Sequence, residues 1–317
     1  MRGALALAVV VAAGVLVPGA AADGLPVLGV DVGSDGVTTS SGPERYLTIP
    51  DGPITIVEGI QRNGGRLLGL ARLHGSFTIP AVAYDSTAAG LSADGRRLVL
   101  IEPRQSFPRS ATTFAVLDVP RLRLTRVIEL HGDFSFDALS PDGSTMFLIQ
   151  YTSPADPNRY AVRAYDLVSG RLLAKPIVDP RERGEEMRGK PVTRTTSADG
   201  RWAYTLYDGG GAKPFVHALD TVARTAHCVD LPALRGRRDL WQLRITRADA
   251  GRTLRIGDLV SISTSDFSVD VPRAARNRAP ARVAALAGGS AFLVVAVAGW
   301  ALFRRPRRSQ EEIVKGP

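Results

Sequence analysis

One pattern of polar and apolar positions recurs along most of the chain. A turn reading Ser-Ala-Asp-Gly or Ser-Pro-Asp-Gly is followed by an apolar run of strand length. The pattern occurs at residues 91–101, 139–149 and 196–206, and less regularly at 246–256. The turn aspartates are 48, 57 and 50 residues apart, at Asp94, Asp142, Asp199 and Asp249. Because aspartate bonds to its own following backbone and glycine supplies a positive φ, each copy predicts a tight turn leading into a strand.

A second apolar segment that ends in aspartate follows three of these turns, at residues 113–118, 160–166 and 215–220. Further apolar segments of strand length lie before and after them, at residues 54–60, 66–73 and 260–266. Together they predict an all-β fold, a β-propeller with about five four-stranded blades, with six or seven possible. A β-sandwich is the alternative, but a sandwich does not need a repeated turn at this period.

The Ser-x-Asp-Gly turn, the strand ending in Tyr165-Asp166 and the following turn at Val168-Ser169-Gly170 resemble the WD40-like and surface-layer-type β-propeller repeats of exported bacterial proteins. The resemblance covers roughly residues 25–271. It implies a fold and no particular function, because propellers serve as enzymes, binding modules and scaffolds. The Trp-Asp ending of WD40 repeats is absent, so the role of cytoplasmic WD40 adaptors is not implied.

The N-terminus has the pattern of a secretory signal peptide. Arg2 precedes an apolar stretch at residues 4–17, and three alanines stand before Asp23. This pattern predicts a signal peptide over residues 1–22 and a propeller over residues 23–271. An uncleaved N-terminal anchor is the alternative, although the apolar run is short for a membrane span.

Near the C-terminus, residues 283–303 run from Val283 to Phe303 without a charge, and their most polar side chain is Ser290. At a rise of about 1.5 Å per residue this length matches a hydrocarbon core of about 30 Å. We therefore expect a transmembrane helix that contacts the lipid bilayer, preceded by a tether at 272–282 and followed by a tail at 304–317. A buried core helix is the alternative, but it would carry polar residues on one face. The expected location is a single-pass cell-membrane protein with an extracytoplasmic propeller and a cytoplasmic C-terminus.

The formal charge of +9 changes this interpretation little once it is divided along the chain. Residues 23–272 contain 30 Lys and Arg against 29 Asp and Glu. The excess of positive charge flanks the expected anchor, which argues against nucleic-acid binding and favours anionic lipid headgroups as partners. The arginines that would contact those headgroups are Arg304, Arg305, Arg307 and Arg308.

Candidate binding residues follow from aligning the repeats on the turn aspartate. The residues five positions before it are Ala89, Asp137, Arg194 and Arg244, which we expect on the innermost strands, facing the axis. Arginine and carboxylate groups at an axis suit the binding of anions or carboxylates. The alternative is that they form ion pairs between blades.

Three further features attract interest. His74 and His131 stand in matching Leu-His-Gly contexts, where a repeated structural turn is a simpler explanation than a metal site. Trp202 and Tyr207 flank or begin a glycine-rich loop that could contact a ligand or form a tight turn. Cys228 is the only cysteine, and we expect it to be a core residue.

No catalytic motif, metal site or cofactor site is expected from the sequence. The sequence therefore favours a binding or scaffold module for an envelope protein, glycan or small ligand, more than an enzyme. The alternative is an exported propeller hydrolase or lactonase with Asp137, Arg194 and Arg244 in the axial funnel. It requires those three side chains to converge in one cleft.

Overall fold

The computed structural model describes residues 36–38, 42–119, 121–182, 184 and 187–272. The predicted signal peptide, transmembrane helix and tail lie outside the described residues, and so does the tether beyond Pro272. Among the described residues, none of the helices has the length and apolar character that a membrane crossing requires.

The described residues form five antiparallel sheets, which we call blades 1 to 5 in chain order. Blade 1 contains β1 (Val37–Thr38), β2 (Glu44–Asp51), β3 (Ile54–Gln61) and β4 (Leu67–His74). Blade 2 contains β5 (Arg97–Ile101), β6 (Ala111–Asp118) and β7 (Arg123–His131). Blade 3 contains β8 (Phe134–Leu139), β9 (Thr145–Tyr151), β10 (Tyr160–Asp166) and β11 (Arg171–Leu172).

Blade 4 contains β12 (Pro191–Thr196), β13 (Trp202–Tyr207), β14 (Phe215–Asp220) and β15 (Thr225–Asp230). Blade 5 contains β16 (Ile245–Ala248), β17 (Thr253–Ile256), β18 (Val260–Ser263) and β19 (Val269–Asp270). Short 3-10 helices lie at Gly209–Gly211, Pro232–Leu234, Leu240–Gln242 and Asp249–Gly251. Within every blade, strands that are consecutive in the sequence are neighbours in the sheet, so the predicted all-β units of about four strands are confirmed.

Successive blades pack face to face through hydrophobic clusters. Alternating residues such as Leu98 and Leu100 of β5 pack against blade 1, while Val99 and Ile101 pack against blade 3. Further clusters join blade 3 to blade 4 and blade 4 to blade 5. Both faces of blades 2, 3 and 4 are therefore buried, which is the stacking of a propeller-type fold.

Three of the four repeated turns form as predicted, while the looser fourth copy forms a 3-10 turn at Asp249–Gly251. In each of the three the serine hydroxyl donates a hydrogen bond to the aspartate two residues later, at 2.5–2.6 Å. These turns also pack on one another: a Cβ placed on Gly200 would lie 2.4 Å from the Cβ of Ala93, and one on Gly143 would lie 2.9 Å from that of Arg97. The glycines thus serve both the positive φ and the close approach of the turn of one blade to that of another.

Blade 2 departs from the repeat at its innermost position. Thr78 and Leu91 each bridge to β5, at its two ends, and the residues between them leave the sheet as a hairpin. We call residues 78–91 the central hairpin. The backbone N–H of Tyr84 at its tip donates to the carbonyl of Pro191 at 2.9 Å, and its ring lies 5.3 Å from that of Trp241. The central hairpin therefore connects blade 2 directly to blade 4 and to the loop before blade 5.

Candidate functional site

Four polar side chains lie side by side across blade 4, on the face that packs against blade 3. They are Arg194, Thr205, His217 and Cys228, and each is paired with the next across the β-ladder. We call them the polar row. Side chains alternate between the two faces of a strand, so residues two positions from the polar row share its face. Among them, Ala203, Leu219 and Ala226 belong to the hydrophobic cluster shared with blade 3, which shows that this face packs against blade 3. The polar row therefore runs through the blade 3–blade 4 interface, from the innermost strand to the outermost.

At its inner end the polar row contacts blade 3 through a buried ion pair. The Arg194 guanidinium bonds to the Asp137 carboxylate and backbone carbonyl, and both side chains are 3% exposed. Arg194 Nε also donates to Thr205 Oγ1 at 2.7 Å. Asp137 and Arg194 thus come together as expected, and they form the inter-blade ion pair that was the structural alternative to a ligand site.

Arg244 does not join this pair. Its Nε lies 3.7 Å from the Asp85 carboxylate of the central hairpin, and the Arg244 side chain is 53% exposed. Its Nη1 donates to the carbonyls of Trp241 and Leu243 at 3.3 and 2.9 Å. The expected axial set of one acid and two arginines is therefore not assembled.

An axial cavity of about 240 Å³ lies beside the Asp137–Arg194 pair. Its walls come from the innermost segments of blades 1 to 4, at residues 37–38, 87–93, 136–139 and 194–200, with contributions from Ala203 and Thr221. Hydroxyl groups, backbone and apolar side chains such as Leu91, Phe136 and Leu139 line it, and its ionic side chains are Asp137 and Arg194, which neutralise each other. Such a lining suits a neutral ligand with hydroxyl or amide groups.

His217, the third member of the polar row, is 1% exposed. Neither ring nitrogen has a hydrogen-bond partner among the described residues. Burial lowers the pKa of His217 to about 4, so the imidazole is neutral near pH 7. A buried polar group without a partner costs about 1–3 kcal/mol. This cost calls for an explanation beyond packing.

An outer cavity of about 250 Å³ lies at the other end of the polar row. Its lining includes Asp179, Glu182, Cys228, Lys213 and Asp230, together with His217. Cys228 is half-buried and borders this cavity, which corrects the expectation of a core residue.

Asp179 in this outer cavity is held by several donors. Its Oδ2 accepts from the Cys228 amide at 2.8 Å and from Arg181 Nη2 at 2.6 Å, while Oδ1 accepts from the Arg181 amide at 2.9 Å. Burial acts to raise the pKa of Asp179, but the hydrogen bonds from Arg181 and the Cys228 amide outweigh it and lower the pKa to about 2. The carboxylate is therefore ionised and oriented.

His74 and His131 are exposed at the ends of β4 and β7. Each precedes a glycine whose carbonyl accepts from a threonine hydroxyl: Thr55 bonds to Gly75, and Thr112 to Gly132, at 2.8 and 2.9 Å. The same hydroxyls accept from the amides of Phe77 and Phe134. Both histidines thus mark the repeated turn that connects one blade to the next.

Trp202 and Tyr207 lie on opposite faces of β13. Trp202 packs with the blade 4–blade 5 cluster and stacks on Tyr204 at 6.0 Å. Tyr207 is buried against blade 3 and stacks on Phe215 at 5.1 Å. The two rings therefore do not form one ligand-contacting surface.

The sequence interpretation missed His217, Asp179 and Glu182 as a group around Cys228. No spaced motif joins them, because they come from β14, β15 and the connection between blades 3 and 4. One signal was available: a four-residue loop pairs Asp220 with Thr225, and this register places His217 opposite Cys228.

No protein-family model matches the chain, and no curated protein matches it. Among solved structures, TolB from Acinetobacter baumannii is similar over 72% of this chain and 50% of that chain, with 14% identity and a TM-score of 0.42. A putative 6-phosphogluconolactonase from Bacteroides uniformis is similar over 78% and 71%, with 16% identity and a TM-score of 0.42. The β-propeller domain of Myceliophteria thermophila Cps50 (Swd1) is similar over 73% of each chain, with 11% identity and a TM-score of 0.38. This chain spans half the length of TolB, and none of these similarities identifies an activity.

Proposed function

We propose that the chain is a membrane-anchored, extracytoplasmic propeller that acts as a binding module and takes a neutral segment of an envelope glycan in its axial cavity. The observation that carries the proposal is the lining of that cavity. Innermost segments of four blades supply it, and its two ionic side chains cancel one another. Hydroxyl and backbone groups remain to bond a polar, uncharged ligand.

The same ion pair argues against the hydrolase or lactonase alternative. A carboxylate that serves as a general acid or base must reach the substrate. Asp137 is 2% exposed and bonded to Arg194, and the second arginine of the expected set is paired with Asp85 instead. Turnover in a broad hydrolase and lactonase screen, lost in Asp137→Ala under conditions in which that variant is still folded, would contradict the binding proposal.

The binding test uses the full chain, purified in detergent, on an array of envelope glycans and peptides. Ala89 borders the axial cavity, so Ala89→Phe fills it and should weaken glycan binding at least about 10-fold. Thr196→Val removes one exposed lining hydroxyl and should weaken binding less, without disturbing the core. Val168→Phe is the matched control, because Val168 is 76% exposed on a distant turn of blade 3. Equal glycan binding by Ala89→Phe and Val168→Phe would show that the ligand binds outside the axial cavity. Binding of peptides but not glycans would show that the partner is a protein.

The membrane location is tested separately. We expect the protein to remain in the membrane after alkaline extraction and to be cleaved by protease added to intact cells. Deletion of residues 283–317 should release the propeller as a secreted protein with its N-terminus at Asp23. Retention of the truncated protein inside the cell, or its unchanged membrane association, would contradict the assigned topology.

A further inference from the structure

The outer cavity brings together donor atoms of three kinds. A carboxylate oxygen of Asp179, one of Glu182 and the sulfur of Cys228 all lie within 4.8 Å of one another. Tetrahedral bonds of about 2.0 to 2.3 Å hold ligand atoms roughly 3.3 to 3.8 Å apart, so an ion that binds here would draw these donor atoms closer together. Two carboxylates and a cysteine are not sufficient for a site by themselves, so an independent observation is needed.

His217 supplies that observation. It is 1% exposed, borders the same cavity, and has no hydrogen-bond partner for either ring nitrogen among the described residues. The β-ladder pairs it directly with Cys228, although its ring nitrogens are not among the donor atoms that lie within 4.8 Å of one another, so the imidazole would have to move towards the ion to bind it. A buried imidazole without a partner, adjacent to a thiol on the same sheet face, is explained if one of its nitrogens binds an ion.

We propose that Asp179, Glu182, Cys228 and His217 bind one divalent transition-metal ion, with Zn²⁺ as the best chemical match. Thiolate and imidazole donors favour zinc over magnesium or calcium, which prefer oxygen ligands throughout. Two carboxylates and a thiolate give the site three negative charges. The ion offsets two of them, and Arg181, bonded to Asp179, offsets the third.

The surrounding structure orients the ligands. The Cys228 amide and Arg181 side chain both donate to the Asp179 carboxylate, which fixes its direction towards β15. His217 and Cys228 stand on two paired strands of one blade. Asp179 and Glu182 belong to the connection between blades 3 and 4. A bound ion would therefore clamp this connection onto the outer strand of blade 4, a structural role that does not depend on the proposed glycan binding.

Cobalt provides a direct test, because the full chain has a single cysteine. The chain is purified in detergent, treated with a chelator and titrated with Co²⁺. We expect one equivalent to produce the near-ultraviolet charge-transfer band of a cobalt thiolate and the strong visible bands of tetrahedral Co²⁺, both removed by Zn²⁺. Bound Zn²⁺ should also slow alkylation of Cys228 by iodoacetamide.

Variants identify the ligands. Cys228→Ser should abolish the charge-transfer band and lower zinc affinity about 100-fold, and Glu182→Gln and His217→Gln should each lower it at least about 10-fold. His227→Gln is the matched control. His227 is next to Cys228 on the same strand, but its side chain lies on the other face of the sheet, and its cross-strand partner is Ala218. Glu182 is half-buried in a connection, so Glu182→Gln keeps the test valid if His217→Gln fails to fold. Absence of the cobalt bands in the wild-type chain, or equal zinc affinity in Cys228→Ser and His227→Gln, would overturn the proposal.

Discussion

The Arg194 guanidinium of blade 4 bonds to the Asp137 carboxylate of blade 3, and neither side chain is more than 3% exposed. Removing one member leaves the other charge buried and unpaired, which costs about 3–5 kcal/mol. We therefore expect Asp137→Ala and Arg194→Met each to lower the free energy of unfolding by about that amount. The double variant Asp137→Leu/Arg194→Met should unfold nearer to the wild type, because no charge is left without its partner. Chemical unfolding followed by tryptophan fluorescence measures all three, and a double variant as unstable as the sum of the single ones would contradict this account.

The contact between the turns of blades 2 and 4 predicts a specific effect of adding a methyl group. Gly200→Ala combines a φ of +74° with a Cβ 2.4 Å from Ala93, so it should destabilise the fold by more than about 2 kcal/mol. Gly64→Ala is the control, since Gly64 has a φ of +85° with no neighbouring atom within 4 Å. Its cost should be limited to about 1 kcal/mol of backbone strain. Similar losses in the two variants would mean that the packing of the turns contributes nothing.

The threonine-centred turns between blades give a third prediction. Thr55→Val and Thr112→Val each remove a hydroxyl that bridges a carbonyl and an amide, and each should lower the free energy of unfolding by about 1–3 kcal/mol. His74→Ala and His131→Ala should stay within about 0.5 kcal/mol of the wild type, because both side chains are exposed. Thermal unfolding compares the pairs. A greater loss from the histidine variants would restore a functional role for the Leu-His-Gly sequence.

The repeated turns also predict a dependence on pH. Hydrogen bonds from Ser140 and Ser197 lower the pKa values of Asp142 and Asp199 below the usual 3.8. A carboxylate with a depressed pKa in the folded state contributes stability above its unfolded pKa, and this contribution is lost as the pH falls through the folded pKa. Unfolding measured from pH 5 down to pH 2 should therefore show a steeper loss for the wild type than for Ser140→Ala/Ser197→Ala. Parallel curves would show that the hydroxyl groups leave the carboxylates unaffected.

The spacing of the Ser-x-Asp-Gly turns was enough to predict the blades, because local backbone chemistry determines a tight turn. Aligning the repeats on the turn aspartate also selected Asp137 and Arg194, which meet at one interface, because blades 3 and 4 share the same turn. It failed for Arg244, because blade 5 has a different turn. Six residues separate the paired Thr196 and Ala203 in blade 4, whereas four separate Ala248 and Thr253 in blade 5. Counting back from the aspartate therefore leads past the start of β16.

The central hairpin and the outer cavity were not predictable in the same way. The hairpin is defined by contacts of Tyr84 and Asp85 with blade 4 and the loop before blade 5, over sequence separations that leave no periodic signal. The outer cavity depends on where the connection between blades 3 and 4 places Asp179, and a non-repetitive connection carries no such information. Local rules thus determine the blades, while the sites arise from the contacts between them.

The central hairpin also sets an order of events during synthesis. Its tip belongs to the second blade, but its partners Pro191 and Trp241 are more than 100 residues further along the chain. A ribosome delivers the N-terminal part first, at about 5–20 residues per second. Tyr84 is therefore synthesised several seconds before Pro191 and Trp241, the residues that it contacts in the folded protein. The contacts of the central hairpin are complete only when the loop before blade 5 has been synthesised. A nascent chain that stalls in blade 4 therefore contains the strands of blades 1 to 3 but lacks the contact between Tyr84 and Trp241.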